Sequence, residues 1–426
     1  MKILVLGATG FIGSAIAAKL LEAGHGVTGV GRHPGRMARK MPAVSWRAAD
    51  IAALTTSADW SGLLDGQDMV VNAAGALQDG LRDDVTAIQR RAMLALYEAA
   101  RDKGIRRIVQ ISTETDGPGR AVAFLATKRA ADDALAASGV PFVILRPSVV
   151  LGRNAHGGSA LLRALAALPF VLPLVHARQV VATSDLDALA SAVADAVAGT
   201  LPAGSDIAFA AADRSTLGDL VAQHRSWLGL PPARVIDLPA GAARPVAWLA
   251  DLAGRLGWRS PLRSTAMIVM AGGLARHDDT ATARGPTTRE TLAANPSGVQ
   301  DLWFARLYLL KPVVIVGLAL FWLASGLIPF LSFAAARAHM EAALPPSLAG
   351  AATVVTCLAD IAVGLAVLVR PWAKTALIGM LVLSLGYLAA ATVAAPGLWL
   401  DPLGPLVKVI PTMLLALVAL AILDER

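Results

Sequence analysis

Beyond Pro312 the chain passes through four apolar segments, at about 312–334, 348–369, 374–395 and 403–423. Each is long enough to carry a helix across hydrocarbon, which takes about 20 residues. In lipid, every backbone N–H and C=O must be satisfied within the segment, so runs of this kind are expected to be helices. The first and third carry no charge in their interiors. They are apolar all round rather than along one stripe, which separates them from helices of a soluble core. The whole-chain figures of 55% hydrophobic and 16% charged residues come largely from this half, because charges occur at ordinary globular frequency up to about residue 300. The division expected is therefore residues 1–300 and 301–426, with an all-α, four-helix transmembrane domain in the second part.

Arg306 and Lys311 precede the first segment, and Arg370 and Lys374 flank the turn between the second and third. The loop after the first carries only Arg337, and the loop after the third has no Lys or Arg. With four spans the positive-inside rule puts both termini in the cytoplasm, in a multi-pass protein of the inner (cytoplasmic) membrane. A net charge of +7 suits loops facing anionic lipid, and no nucleic-acid motif is present. A single cysteine, Cys357, allows no disulfide within the chain and fits a reducing compartment. The apolar stretch of MKILVLGATG is too short for a signal-peptide core. Two ionisable residues fall inside spans, Asp360 and Lys408. Charges there are costly and mark functional sites. Their depths differ by about 9 Å at 1.5 Å per residue. Two arrangements stay open: a direct pair bridged by a bent lysine, or Lys408 reaching outward with Asp360 protonated in a packed interface.

The N-terminal half begins with Lys2–Leu6, a Leu-rich and β-branched run suited to a central parallel strand. It leads into Gly7-Ala8-Thr9-Gly10-Phe11-Ile12-Gly13 and then a helical pattern to Ala23, stopped by Gly24. Strand, glycine turn and helix in this order form a dinucleotide site. Gly7 permits the turn, Gly10 admits a pyrophosphate close to the backbone, Gly13 lets helix and strand pack, and the helix N-terminus offers N–H groups to phosphate. The next strand, Val27–Val30, ends in Gly31-Arg32-His33, where NAD-preferring domains place a carboxylate on the ribose hydroxyls. A guanidinium at that point suits a 2′-phosphate, so NADP(H) is the cofactor expected, with NAD as the alternative.

Further alternation supports a doubly wound α/β sheet. Val44–Trp46 leads to Asp50, Asp68–Val71 to Asn72-Ala73-Ala74-Gly75, and Arg107–Ile111 to Ser112. Helices are expected over Ile88–Ala100 and 120–137, before a strand Val140–Leu145 that closes on Arg146-Pro147. Beyond residue 160, helices are expected after Ser184-Asp185 and over Thr216–Leu228 and Ala243–Leu256, and the Thr-, Arg-, Gly- and Pro-rich stretch 277–297 reads as a linker or irregular surface. His156, His176 and His224 lack metal-ligand spacing, so no metal site is expected.

GATGFIG, Asp50, NAAG at 72–75, IST at 111–113, Lys128 and LRPS at 145–148 together resemble the short-chain dehydrogenase/reductase superfamily, in its extended or atypical branch. The resemblance spans about residues 1–300. It implies Asp50 near the adenine, Asn72, Ala73, Ala74 and Gly75 along the nucleotide cleft, Lys128 on the nicotinamide ribose, and Pro147 near the nicotinamide. It also makes Lys128 and Ser112 the candidate catalytic pair. The family's catalytic pattern is Tyr-x-x-x-Lys, in which lysine lowers the tyrosine pKa for proton exchange. Here the pattern reads Phe124-Leu-Ala-Thr-Lys128, and a phenyl ring has no proton to give. The tyrosines are Tyr97, on a helix expected to pack against the sheet, and Tyr308 and Tyr387 in the membrane half. Ser112, Thr113, Glu114 and Thr127 are the other polar groups at hand. The second half resembles the DoxX-like family of four-helix membrane proteins, through Ala324-Ser-Gly-Leu327 and Leu398-Trp-Leu-Asp-Pro-Leu-Gly-Pro-Leu-Val-Lys408-Val-Ile-Pro411.

The leading reading is a membrane-anchored NADP(H)-binding oxidoreductase meeting a lipophilic or quinone-type acceptor, or a membrane protein partner. The alternatives are a non-catalytic nucleotide-binding assembly or sensor module, favoured by Phe124, and an NAD(P)-dependent epimerase or isomerase. Replacing Arg32 by Ala is expected to lower the ratio of NADPH to NADH affinity, measured by titration of each nucleotide; an unchanged ratio removes the role given to Arg32.

Overall fold

In the computed structural model, which describes residues 1–81, 83–116, 119–271, 285–341 and 344–424, the chain divides into two compact units. One comprises Met1–Asp251 and Ser260–Ala305, the other Leu252–Arg259 and Arg306–Arg426.

The first unit is built on a seven-stranded parallel sheet. Its strands are β1 (Lys2–Leu6), β2 (Gly26–Gly31), β3 (Ser45–Ala48), β4 (Met69–Asn72), β5 (Arg107–Ile111), β6 (Phe142–Pro147) and a last strand, Ser205–Phe209. Across the sheet the order is Ser205–Phe209, β6, β5, β4, β1, β2, β3, so the winding reverses between β1 and β4. Residues along β1 alternate between two cores: Ile3 and Val5 face one cluster, Leu4 and Leu6 the other. Both faces are covered, as period-two side chains and right-handed crossovers require.

Helices α1 (Phe11–Glu22) and α7 (Leu186–Ala198) bury Ile16, Leu20, Leu189 and Val193 on one face of the sheet. On the other face, α3 (Ser57–Leu64), α4 (Ala92–Asp102) and α5 (Ala123–Ala137) bury Trp60, Leu96 and Leu135. The short α2 (Gly35–Lys40) buries nothing. The helix expected from Ile88 opens instead as a π-turn, Ala87–Arg91, before α4 begins. A smaller core joins α6 (Gly158–Ala166) to α8 (Leu217–Trp227) through Leu162, Leu220 and Val221. Next come α9 (Arg244–Arg255) and α10 (Ser264–Ala271).

The stretch expected as a linker over 277–297 lies outside the described residues up to 284; beyond that point it is ordered rather than irregular. It contains α11 (Thr288–Ala294), started by a capping box in which Thr287 and Glu290 satisfy one another's N–H groups. Thr288 hydrogen-bonds Thr183 at 2.8 Å, and Trp227 Nε1 donates to the Asn295 carbonyl at 2.6 Å. A composition of turn formers hid a helix whose tertiary partners hold it.

The second unit contains the greater part of α12 (Val299–Leu331), then α13 (Phe333–Glu341), α14 (Pro346–Leu368), α15 (Ala373–Ala394) and α16 (Val409–Ala421). Among the described residues α12, α14 and α15 are long and apolar enough to cross a membrane. Trp322, Val367, Leu377, Met380 and Ala416 meet inside, while Leu320, Leu327, Leu358, Leu365, Val382 and Leu385 face outward. Large apolar side chains on the outside are what a lipid solvent requires. The close approach of α12 and α14 depends on small residues: a Cβ on Gly326 would lie 3.1 Å from the Ile361 nitrogen, and one on Gly364 3.0 Å from that of Leu323.

The fourth apolar segment, expected as a span over 403–423, is shorter than that. It is helical only over the 13 residues of α16, which reach about 20 Å. Pro402 and Pro405 have no N–H to continue a helix, and Gly404 between them turns at φ +57. Hydropathy counted Leu403, Leu406 and Val407 as span, whereas the backbone makes turns there.

His224 of α8 is 1% exposed, and its Nδ1 donates to the Leu220 carbonyl at 2.7 Å. Burial pushes its pKa down to about 4, against the opposing pull of that bond and with help from the Arg163 charge. Between the folded value and about 6.5 the unfolded chain binds a proton that the folded chain does not. His224 therefore lends full stability above about pH 6.5 and loses roughly 3 kcal/mol of it as pH falls through about 4. The thermal midpoint of a His224→Leu variant is expected to fall less than that of the parent between those pH values, measured by circular dichroism in detergent.

Candidate functional site

Where β1 ends, Leu6 lies beside Asn72 at the end of β4. This is the reversal point of strand order, the place where open α/β sheets form a crevice beyond the strand C-termini. Gly7 turns the chain at φ +71, and a Cβ there would stand 2.7 Å from the Ala73 carbonyl oxygen and 2.9 Å from the Ala74 Cα. A Cβ on Gly13 would collide with the Gly7 carbonyl, so backbone meets backbone on both sides of this turn. Gly10 closes it by donating its N–H to the Gly7 carbonyl at 2.8 Å. Thr9 packs against Gly31 at the end of β2. Gly10 is also the N-cap of α1, which begins at Phe11 and Ile12 with no side-chain cap and no acidic residue in its first turn. The first-turn N–H groups and the positive end of the helix dipole are thus offered to an anion.

Asn72 acts from beneath. It is 1% exposed, donates to Gln110 Oε1 at 2.8 Å, and accepts from the Ala74 N–H at 3.0 Å. Its side chain therefore shapes the Ala73–Gly75 rim rather than facing outward. A Cβ on Gly75 would lie 3.3 Å from Gln89 Nε2 and 3.8 Å from Lys128 Nζ, so the lysine head comes to that rim. Arg32, at the end of the second strand, binds a carboxylate: Nη2 lies 2.8 Å from Asp83 Oδ1. Sequence reading missed this partner, which is 51 residues away along the chain. Asp50 is exposed and accepts the Ala52 N–H at 3.2 Å, capping the turn Ile51–Ala53. Pro147 is buried at the end of β6, followed by Ser148, whose N–H donates to Ser184 Oγ at 2.9 Å.

Lys128 is buried, donates to the Ile111 carbonyl at 3.1 Å, and stands 6.0 Å from the centre of the Phe124 ring. Burial presses its pKa below the ordinary lysine range and Arg146 adds to that, while Asp132 works against it. Ser112 and Thr127 are both committed to internal bonds. Ser112 Oγ donates to Asp132 Oδ2 at 2.5 Å; Thr127 Oγ1 lies 2.7 Å from the Ala123 carbonyl and 3.0 Å from Gln89 Oε1. Tyr97 is buried with its hydroxyl 3.4 Å from Gln110 Oε1.

Behind Lys128 runs a charge chain that sequence reading also missed. Arg146 Nη1 meets Asp132 Oδ2 at 2.8 Å, and its other nitrogens grip both oxygens of Asp206 at 2.7 and 2.8 Å. Asp132 is 2% exposed, and burial raises its carboxyl pKa against the pull of Arg146, Ser112 and Lys128. The sequence signal was the spacing of Lys128 and Asp132, four apart on α5 and so on one face. Nothing in the sequence announced Asp206.

In the second unit Asp360 does not pair with Lys408. It accepts from Ser325 Oγ at 2.6 Å and Tyr387 Oη at 2.7 Å. Lys408 is exposed and is the N-cap residue of α16, with no ion pair among the described residues. Two neutral donors from neighbouring helices meet the carboxyl where a distant charge was the alternative.

Residues 7–191 match the NAD(P)H-binding family, and residues 319–417 match the DoxX-like family. The chain is an NAD(P)-binding Rossmann domain with a DoxX-like domain in its C-terminal region. Together with three helices among the described residues that are long and apolar enough to span, this points to a membrane protein. Among solved structures it is similar to Pal from Bacillus thuringiensis, at 15% identity and TM-score 0.52 over 71% of this chain and 100% of that one. It is also similar to a UDP-glucuronic acid 4-epimerase from Bacillus cereus, at 19% identity and TM-score 0.50 over 72% and 100%. These likenesses establish the fold. No curated protein matches the chain.

Removing one member of the buried charge chain leaves the others uncompensated. Asp132→Ala is expected to cost roughly 3–5 kcal/mol, whereas Asp206→Ala, at a half-exposed position, costs about 1 kcal/mol or less. Thermal unfolding of both variants checks the contrast.

Proposed function

We propose that this chain is a membrane-anchored NADP(H)-dependent oxidoreductase whose acceptor is a lipophilic molecule of the quinone type. The residues of the cleft fit a dinucleotide, since the glycine-lined turn and the uncapped start of α1 leave backbone N–H groups for a pyrophosphate. Lys128, at the Gly75 rim, would hold the nicotinamide ribose, with Pro147 near the nicotinamide and Asp50 near the adenine. Arg32, oriented by Asp83, would take the 2′-phosphate. NAD(P)H, when bound, supplies a hydride.

The observation that carries the choice of acceptor is Phe124 beside Lys128, with Ser112 and Thr127 already committed to internal bonds. Hydride addition to an ordinary ketone forms an alkoxide, which needs a proton donor in place. Hydride addition to a quinone forms an aryl oxide, whose conjugate acid has a pKa of about 10, like tyrosine. Such a product takes its proton from water and does not need the missing tyrosine. Tethering at the cytoplasmic face of the inner membrane, with both termini on that side, would raise the effective concentration of a membrane-soluble acceptor.

The same engaged hydroxyls favour a second reading, a module that holds nucleotide without turnover. Epimerase chemistry is disfavoured, because it too relies on the absent tyrosine. Full-length protein in detergent with NADPH separates these readings. A short-chain quinone is expected to drive NADPH oxidation while simple aldehydes and ketones do not, and Phe124→Tyr is expected to raise carbonyl reduction by about a hundredfold. Tight retention of NADPH with no turnover on any acceptor supports the second reading instead.

A further inference from the structure

The membrane unit holds a cavity of about 420 Å³, lined by residues of α12, α13 and α14. This is within the size range of small-molecule sites. Around Asp360 its lining has an unusual balance, with acceptors available and the hydroxyl donors used up, while Ser332 brings a further hydroxyl at the turn between α12 and α13.

Asp360 is 4% exposed and lines the cavity. A carboxylate offers about four lone-pair positions, of which Ser325 and Tyr387 fill two. Those bonds consume the protons of both hydroxyls. Thr353 and Thr356, also in the lining, donate to carbonyls of their own helix, at Ala349 and Ala352. His339 donates through Nδ1 to the Ala335 carbonyl at 2.8 Å, so that proton too is in use. Pro329 stands four residues after Ser325 within α12 and has no N–H to give the Ser325 carbonyl. No Lys or Arg is among the described residues that line it. The wall also carries the sulfur atoms of Cys357 and Met340, which favour aromatic rings.

We propose that this cavity binds a membrane-soluble hydroxyarene, a phenol or hydroquinol whose hydroxyl groups donate to Asp360 and the acceptors around it. A carbonyl head placed at Asp360 offers only acceptors and meets acceptors there. The site lies wholly within the second unit and stands independently of the nucleotide reading.

The test uses the full chain in detergent micelles, without nucleotide, titrated calorimetrically against empty micelles. The probes are decylhydroquinone and decylbenzoquinone, which share a shape and differ in their donor hydrogens. The hydroquinone is expected to bind at least about tenfold more tightly, and Asp360→Asn to remove about tenfold of that affinity. Ser325→Ala frees a lone pair on Asp360 and is expected to leave binding equal or tighter, where a merely structural role would weaken it. Should Asp360→Asn fail to fold, Ala336→Phe fills the cavity from its lining and is expected to abolish binding. Equal affinity for the two probes overturns the proposal, as does weaker binding in Ser325→Ala, unchanged binding in Asp360→Asn or Ala336→Phe, or decylamine binding more tightly than the hydroquinone.

Discussion

The turn at Gly7 lies against the Ala73–Ala74 backbone on one side and against Gly13 on the other, with no side chain between them. That double contact sets the geometry of the first unit's cleft. It draws the start of α1 down onto the end of β1, and it brings the β4 rim close enough to wall the crevice. A methyl group at either glycine would have to displace main chain, which is held in place by the sheet ladder and cannot give as a side chain can. Asn72 secures the same place from below, joining the rim to β5 through Gln110, its ladder partner.

Behind that crevice, the chain from Lys128 through Asp132 and Arg146 to Asp206 shows how a buried ammonium is tolerated. Two carboxylates and two cations alternate, so no charge is buried without an opposite one near it, and the chain ends at a half-exposed Asp206. A buried pair is weak evidence for net stability, because desolvation offsets much of the attraction. Its value here is positional. Ser112 and Arg146 come from different segments and are held to one another through Asp132, one helical turn from Lys128 on α5, and the same bonds withdraw the Ser112 hydroxyl from the cleft.

The membrane unit solves a different problem with similar means. Its helices can separate into lipid without losing hydrophobic burial, so close packing and polar contacts must specify the bundle. Gly326 and Gly364 supply the first, each bringing α12 and α14 to near backbone contact. Ser325, Asp360 and Tyr387 supply the second, joining α12, α14 and α15 through one carboxyl group.

Much of the architecture was legible in the chain itself. Periodicity and glycine placement marked β1, α1, β4 and β5, because a central parallel strand has to be apolar on both faces and a dinucleotide turn has to lack side chains. Hydropathy marked α12, α14 and α15, because a long unbroken apolar run can satisfy its own backbone in lipid only as a helix. Phe124 was visible as a departure for the same local reason: Tyr-x-x-x-Lys is a one-turn pattern. What the chain could not announce were partners set by long-range closure. Asp83 on Arg32, Asp206 on Arg146, and Ser325 and Tyr387 on Asp360 all come from elements distant in sequence, and any exposed or half-buried polar residue could have filled those places. Segments 403–408 and 285–297 fell outside local rules for opposite reasons. In the first, prolines broke a helix that hydropathy alone would draw; in the second, contacts to Thr183 and Trp227 held a helix that composition alone would deny. Local chemistry decided which elements form, and only the folded chain decided which charges meet.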